Sequence, residues 1–77
     1  MKTYTFGIRD TPAGATAWVI TPSGRRQEKR FLNGYCSGHH SAKRWIDDQI
    51  GVIRQCELED RLEGRNRTPA NIIREDV

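Results

Sequence analysis

The sequence predicts an α+β fold: a three-stranded antiparallel sheet, or meander, with one long helix or two shorter helices packed on one face. Apolar and polar residues alternate with a period of two in three short runs within residues 3–32. Apolar residues then recur at helical spacing within residues 41–64. With 77 residues the chain is long enough for one hydrophobic core, so we expect a single domain over 1–77.

Turn signals set the bounds of the three strands. We expect the strands over residues 3–9, 15–21 and 25–32, with turns at 10–14 and 22–24 between them. Loops this short between consecutive strands indicate antiparallel pairing. The alternation gives the first strand one apolar face, formed by Tyr4, Phe6 and Ile8. In the second strand it puts Trp18 and Val19 on opposite sides of the sheet.

One apolar stripe predicts the helical part over residues 41–64. Its members recur three or four residues apart, at Ala42, Trp45, Ile46, Gln49, Ile50 and Ile53. Ser37 or Ser41 is suited to cap the helix N-terminus by accepting a hydrogen bond from an unpaired backbone amide. Gly51 leaves two alternatives open, since the helix either ends there or continues through Glu63 to a glycine cap.

Residues 68–77 are expected to form a short C-terminal helix or a tail. Thr68-Pro69 combines a helix-capping residue with the residue favoured at the first helical position, which predicts a helix over 70–75. A strand over 52–58 is the remaining alternative for the preceding segment.

The charge is distributed unevenly along the chain. The net charge is +3, but residues 1–44 carry eight basic and two acidic groups, while residues 45–77 carry five basic and eight acidic groups. The first part is therefore +6 and the second −3. Ten of the thirteen basic residues are arginine, whose planar guanidinium suits phosphate and carboxylate better than the lysine ammonium does.

The third predicted strand is the candidate binding site. Alternation puts Arg26, Glu28 and Arg30 on one side of it, and a helix behind the sheet leaves one sheet face open to solvent. Cations on such a face are able to follow a phosphate backbone or enter a major groove. The competing interpretation is a solvated hairpin whose charges prevent edge-to-edge pairing. The full set of candidate binding residues is Arg25, Arg26, Lys29, Arg30, Lys43 and Arg44.

Several function classes are disfavoured. No apolar run approaches the roughly 20 residues that span a bilayer, and residues 1–10 contain no apolar segment typical of a signal peptide. We therefore expect no membrane partner and a cytoplasmic protein. A single sheet with a helix gives little room for a substrate pocket, and no catalytic motif is present, so we expect neither an enzyme nor a bound cofactor.

Two cysteines and two histidines raise the question of a zinc site. Cys36, His39, His40 and Cys56 are suitable residue types, and Cys36 and His39 have a plausible ligand spacing. The second pair of ligands lacks a matching spacing, so the sequence predicts no metal centre and leaves the four residues as an open question. In a reducing compartment both cysteines are expected to be free thiols.

The order of aromatic, glycine and basic residues carries a resemblance. Trp18, Gly24-Arg25, Phe31, Ala42 and Trp45 follow one another as strand aromatic, turn, strand-ending aromatic and helix start. This order resembles the arm-type DNA-binding domain of tyrosine recombinases, and it is similar to the plant ethylene-response-factor domain. In those families a three-stranded sheet lies in the major groove. The resemblance spans residues 3 to about 50 and implies that the third-strand residues Arg25, Arg26, Lys29 and Arg30 contact DNA.

A second resemblance concerns residues 38–43. Gly38-His39-His40-Ser41-Ala42-Lys43 resembles the start of the last helix in double-stranded RNA-binding domains, but histidines stand where those domains carry phosphate-gripping lysines. DNA is therefore favoured over RNA.

In length and style the chain is also similar to bacteriophage accessory proteins, including anti-CRISPR proteins and host-takeover inhibitors. The basic third strand and the resemblance to arm-type DNA-binding domains together predict a small nucleic-acid-binding protein. The alternative is an inhibitor that binds an acidic or nucleic-acid-handling host protein. The oligomeric state is not encoded in any pattern found.

Overall fold

The sheet has four strands and one helix packs on it. The computed structural model describes residues 2–64 and 69–75. Its elements are β1 (Thr3–Thr11), β2 (Gly14–Ile20), β3 (Arg26–Leu32), α1 (Gly38–Leu62) and β4 (Asn71–Arg74). The strand order is β3-β2-β1-β4, and α1 contacts β1, β2 and β3. The predicted α+β class, with a helix on one face of a β1-β2-β3 meander, is confirmed.

The C-terminal segment corrects two predictions. The sheet is mixed rather than purely antiparallel, because β4 pairs in parallel with β1. The helix predicted over 70–75 is wrong, since four of those residues form β4; Thr68, its predicted cap, lies outside the described residues. A helix of six residues is marginal in water. As a strand, the same segment bonds the otherwise open edge of β1, with the Asn71 N–H donating to the Lys2 carbonyl at 2.8 Å.

Interactions with α1 also hold β4 in place. The Ala70 N–H donates to Oε1 of Glu57 at 2.6 Å, and Nη1 of Arg54 donates to Oε2 of the same carboxylate at 2.9 Å. The backbone donor first, and then the guanidinium, hold the pKa of Glu57 below its ordinary value. Nη1 of Arg74 donates to Oδ1 of Asp47 at 2.8 Å.

The helix is continuous through Gly51, which decides between the alternatives that the sequence leaves open. It begins at Gly38, three residues before the predicted start, and the Ser37 hydroxyl accepts from the His40 N–H at 3.1 Å as the N-cap. It ends at Leu62, and Gly64 follows with a positive φ of 81°. A strand over 52–58 is therefore wrong.

The helix N-terminus lies directly on the sheet. A Cβ added to Gly38 would lie 2.7 Å from both the Gly14 Cα and the Phe31 carbonyl oxygen, so only glycine allows this approach. The core between helix and sheet consists of Phe6, Ala15, Ala17, Val19, Ala42 and Ile46. The side chains that alternate with these on the strands point away from α1, and we call this second sheet surface the open face.

Candidate nucleic-acid interface

Three arginines lie on the open face. β3 contributes Arg26 and Arg30, and β1 contributes Arg9, because these side chains alternate with those that face α1. In the strand register, Arg9, Thr16 and Arg30 form one row across β1, β2 and β3. The Cα atoms of the two arginines in this row are therefore about 10 Å apart, which is two strand spacings.

Trp18 occupies the centre of the open face. It pairs with Gly7 on β1 and with Glu28 on β3, in the row next to the two arginines. The indole lies directly over Gly7, where an added Cβ would be 2.1 Å from Cζ2 of the ring. Gly7 is therefore the residue that allows the ring to lie flat against the sheet.

Arg26 is held on two sides. Its guanidinium carbon lies 4.9 Å from the centroid of the Trp18 ring, in a cation–π contact. Its Nε donates to Oε1 of Glu28 at 2.7 Å. Side-chain exposures of 47% for Arg26 and 51% for Glu28 show that both remain accessible. The guanidinium is thus fixed in orientation while its two terminal nitrogens are left for other partners.

Arg9 and Arg30 are exposed and differ from Arg26 in their surroundings. Within residues 2–64 and 69–75, neither guanidinium has a hydrogen bond or an ion pair. Among the residues that the structure describes, the acids on this side of the sheet are Glu28 and, just beyond the end of β4, Glu75. Glu28 is already bonded to Arg26, so the positive charge of the other two arginines is the least compensated on the face.

The remaining cations of the third strand lie elsewhere. Lys29 points to the helix side, where its Nζ is 5.5 Å from the centroid of the Phe31 ring. Arg25 precedes β3, and with Lys2 and Tyr4 it lines a shallow, solvent-open depression of about 450 Å³. These residues belong to the opposite sheet surface from Arg26 and Arg30.

Lys43 and Arg44 are separated from the open face by the sheet itself. Both are exposed on α1, which packs on the other surface. The structure therefore brings only Arg26 and Arg30 of the six candidates together on the open face. It adds Arg9 of β1, which lies outside the basic run of the sequence and was not among the predicted binding residues.

The side of α1 away from the sheet is mainly acidic. Asp48 and Glu59 are exposed there, together with Val52 and Cys56 between them. Leu58 and Leu62, one turn apart near the end of the helix, are exposed at 45% and 79% of their surface. The excess negative charge of residues 45–77 thus lies mostly on the helix, behind the sheet.

The residues considered for zinc do not come together. Cys36 precedes α1, whereas Cys56 lies five turns along it, about 27 Å from the first helical residue, Gly38, at 1.5 Å per residue. Nδ1 of His39 lies 2.8 Å from Oδ1 of Asp10. Among the described residues, no group of three or more metal-ligating side chains forms. In the same part of the chain, α1 is not apolar enough to cross a membrane.

Comparison with protein-family models, curated proteins and solved structures finds no match for this chain. Its function is therefore argued from the geometry of the open face and of α1.

Proposed function

We propose that this chain is a non-enzymatic binding protein that binds duplex DNA through the open face of its sheet. The observation that carries the proposal is the position of Arg9, Arg26 and Arg30 on rigid strands, on the one surface that α1 leaves uncovered. Cations on a duplex displace condensed counterions, which makes binding favourable and salt-dependent.

The spacing of the arginines favours DNA over RNA. Arg9 and Arg30 start about 10 Å apart across the sheet, and the major groove of B-DNA is about 12 Å wide. Two arginine side chains that start at this separation are long enough to reach phosphates on both walls of the groove. The major groove of an RNA helix is too deep and narrow to admit such a surface.

The surroundings of Trp18 favour a duplex over a single strand. Proteins that bind single strands offer aromatic rings on which bases stack. The Trp18 ring contacts Gly7, and the Arg26 guanidinium carbon lies 4.9 Å from its centroid, so protein groups already pack on a ring on which a base would have to stack.

Fluorescence anisotropy with three labelled probes tests the proposal: a short DNA duplex, an RNA duplex of the same sequence and the corresponding single strand. The DNA duplex is expected to bind most tightly, and log K should fall with log salt with a slope between about −1.8 and −2.7, corresponding to two or three phosphate contacts. No binding to the DNA duplex at low salt, or tighter binding to RNA, would contradict the proposal.

A second candidate function rests on α1. Leu58 and Leu62 are large apolar side chains exposed beside acidic residues such as Glu59. An apolar strip with an acidic border is typical of a protein-docking surface. This supports the alternative of a phage-type inhibitor, whose acidic helix occupies a basic, nucleic-acid-handling site on a host complex.

The two proposed functions predict that substitutions at different residues abolish activity. An anti-CRISPR protein should restore infection by a targeted phage in bacteria with an active CRISPR–Cas system. Under the inhibitor hypothesis, the double change Leu58→Asp and Leu62→Asp abolishes this rescue, whereas Arg9→Ala with Arg30→Ala leaves it intact. Absence of rescue by the unmodified chain in every CRISPR–Cas type tested argues against the anti-CRISPR form of this hypothesis.

A further inference from the structure

We propose that Arg26 is the base-reading residue of the open face and that the base it reads is guanine in the major groove. This inference rests on the proposed function, since it assigns separate tasks to the arginines of the same surface. Arg26 reads sequence, whereas Arg9 and Arg30 bind phosphates.

The Arg26 guanidinium is already held in place before any partner binds. A side chain reads a base edge well only when its donors are already aimed, because ordering a long side chain on binding costs free energy. The Arg26 guanidinium packs against the Trp18 ring, 4.9 Å from its centroid, and the Glu28 carboxylate holds the guanidinium through the 2.7 Å bond to Nε. Trp18 and Glu28 are therefore positioning residues for Arg26.

The charge of Arg26 also suits a base better than a phosphate. The ion pair with Glu28 compensates much of the charge of Arg26, which weakens its attraction to a phosphate. The two terminal nitrogens still carry N–H donors in a planar arrangement. A compensated guanidinium is thus better suited to a neutral partner with two acceptors than to an anion.

The donors of a guanidinium match the acceptors of guanine better than those of adenine. Guanine presents two neighbouring acceptors, O6 and N7, in the major groove, and a bidentate arginine is their most common partner. Adenine presents one acceptor and one donor at the same edge, so an arginine fork pairs with it poorly. Arg9 and Arg30 have no such support among the described residues, and their uncompensated charge suits phosphates.

The inference is tested by selecting bound sequences from a pool of random DNA duplexes and measuring the preferred one by anisotropy. The selected sequences are expected to share at least one guanine. Replacing that guanine by 7-deazaguanine, which lacks the N7 acceptor, should weaken binding about tenfold.

Three variants separate base reading from phosphate binding. Arg26→Lys keeps the charge but loses the two parallel N–H donors of the guanidinium. This variant should therefore bind the guanine duplex and the 7-deazaguanine duplex equally, while the slope of log K against log salt stays unchanged. Glu28→Ala should lose the guanine preference and strengthen binding to unselected duplexes at low salt, because Arg26 then lacks both the acceptor for its Nε and the charge that compensates it. Arg30→Lys, the matched control, should keep the preference for guanine.

The possible failures are distinguishable. Binding to all duplexes with equal affinity, or a guanine preference that survives Arg26→Lys, overturns the assignment of Arg26 and leaves the proposed function standing. Absence of binding to any duplex at low salt overturns the proposed function and this inference with it. Circular dichroism on each variant shows that the fold is retained.

Discussion

The open face of the sheet and the outer side of α1 come from the two differently charged parts of the chain, and they differ in more than charge. On the open face, Trp18 and Glu28 hold Arg26 in one orientation. On the outer side of α1, long side chains such as Leu62 extend into solvent. A binding surface needs fixed donors, so the comparison favours the open face as the interface and leaves the helix as support or as a second docking surface.

Two glycines allow this comparison to be tested, since one lies in each region. Gly7→Ala on the open face should destabilise the protein by about 1–3 kcal/mol, because the new methyl group overlaps the Trp18 ring at 2.1 Å. Urea unfolding followed by circular dichroism measures the change. The tryptophan fluorescence of the native variant should also shift as the indole is displaced. An unchanged midpoint together with an unchanged spectrum would show that Trp18 does not lie on Gly7.

Gly51→Ala on α1 should stabilise the protein, in contrast to the destabilisation expected for Gly7→Ala. An added Cβ there meets no other atom within 4 Å, and alanine is favoured over glycine inside a helix by up to about 1 kcal/mol. The urea midpoint is expected to rise by a corresponding amount. A fall in the midpoint would show that the helix bends or ends at Gly51, as the discarded alternative requires.

Glu57 offers a smaller and pH-dependent test of how β4 is attached to α1. Its pKa is lowered in the folded state, so its contribution to stability is present above the ordinary pKa of glutamate, about 4.3, and is lost as the pH falls through the lower folded-state value. Thermal unfolding from pH 7 to pH 3 should therefore show a shallower loss of stability for Glu57→Gln than for the unmodified chain. Parallel curves would mean that the Ala70 N–H does not bond this carboxylate.

The period-two alternation predicted which residues of β1, β2 and β3 share a face. It separated Val19 from Trp18 and grouped Arg26 with Arg30, as the structure shows, but it did not say which side of β2 faces the helix. The alternation is reliable here because one sheet face is buried, so a slip of one residue would expose the core.

The C-terminal strand β4 could not be predicted from the sequence. Ile72 and Ile73 are compatible with a strand, but the preceding Thr68-Pro69 fits a helix start equally well. The choice depends on the unpaired edge of β1, a tertiary partner that no local pattern reveals. Gly51 was ambiguous for the same reason, because packing of Ile50 and Ile53 against the core outweighs the low helix propensity of glycine.

The candidate site was predicted in part. A run of basic residues in the sequence suggested one surface, but alternation along β3 sends Lys29 and Arg30 to opposite sides. On the open face, the arginines of β3 are joined by Arg9 of β1, which is far from them in the sequence, and Lys29 is absent from this surface. The roles of Glu28 and Gly7 became visible only with the contacts around Trp18.

The central claim is that the arginines of the open face contact DNA phosphates, and the slope of log K against log salt tests it most directly. The double variant Arg9→Ala with Arg30→Ala should reduce the magnitude of this slope by about 1.8, which corresponds to two phosphate contacts. Lys43→Ala with Arg44→Ala removes the same charge from the helix side of the molecule and should leave the slope close to that of the unmodified chain. Equal reductions for the two double variants, or a reduction only for the helix variant, would contradict the account.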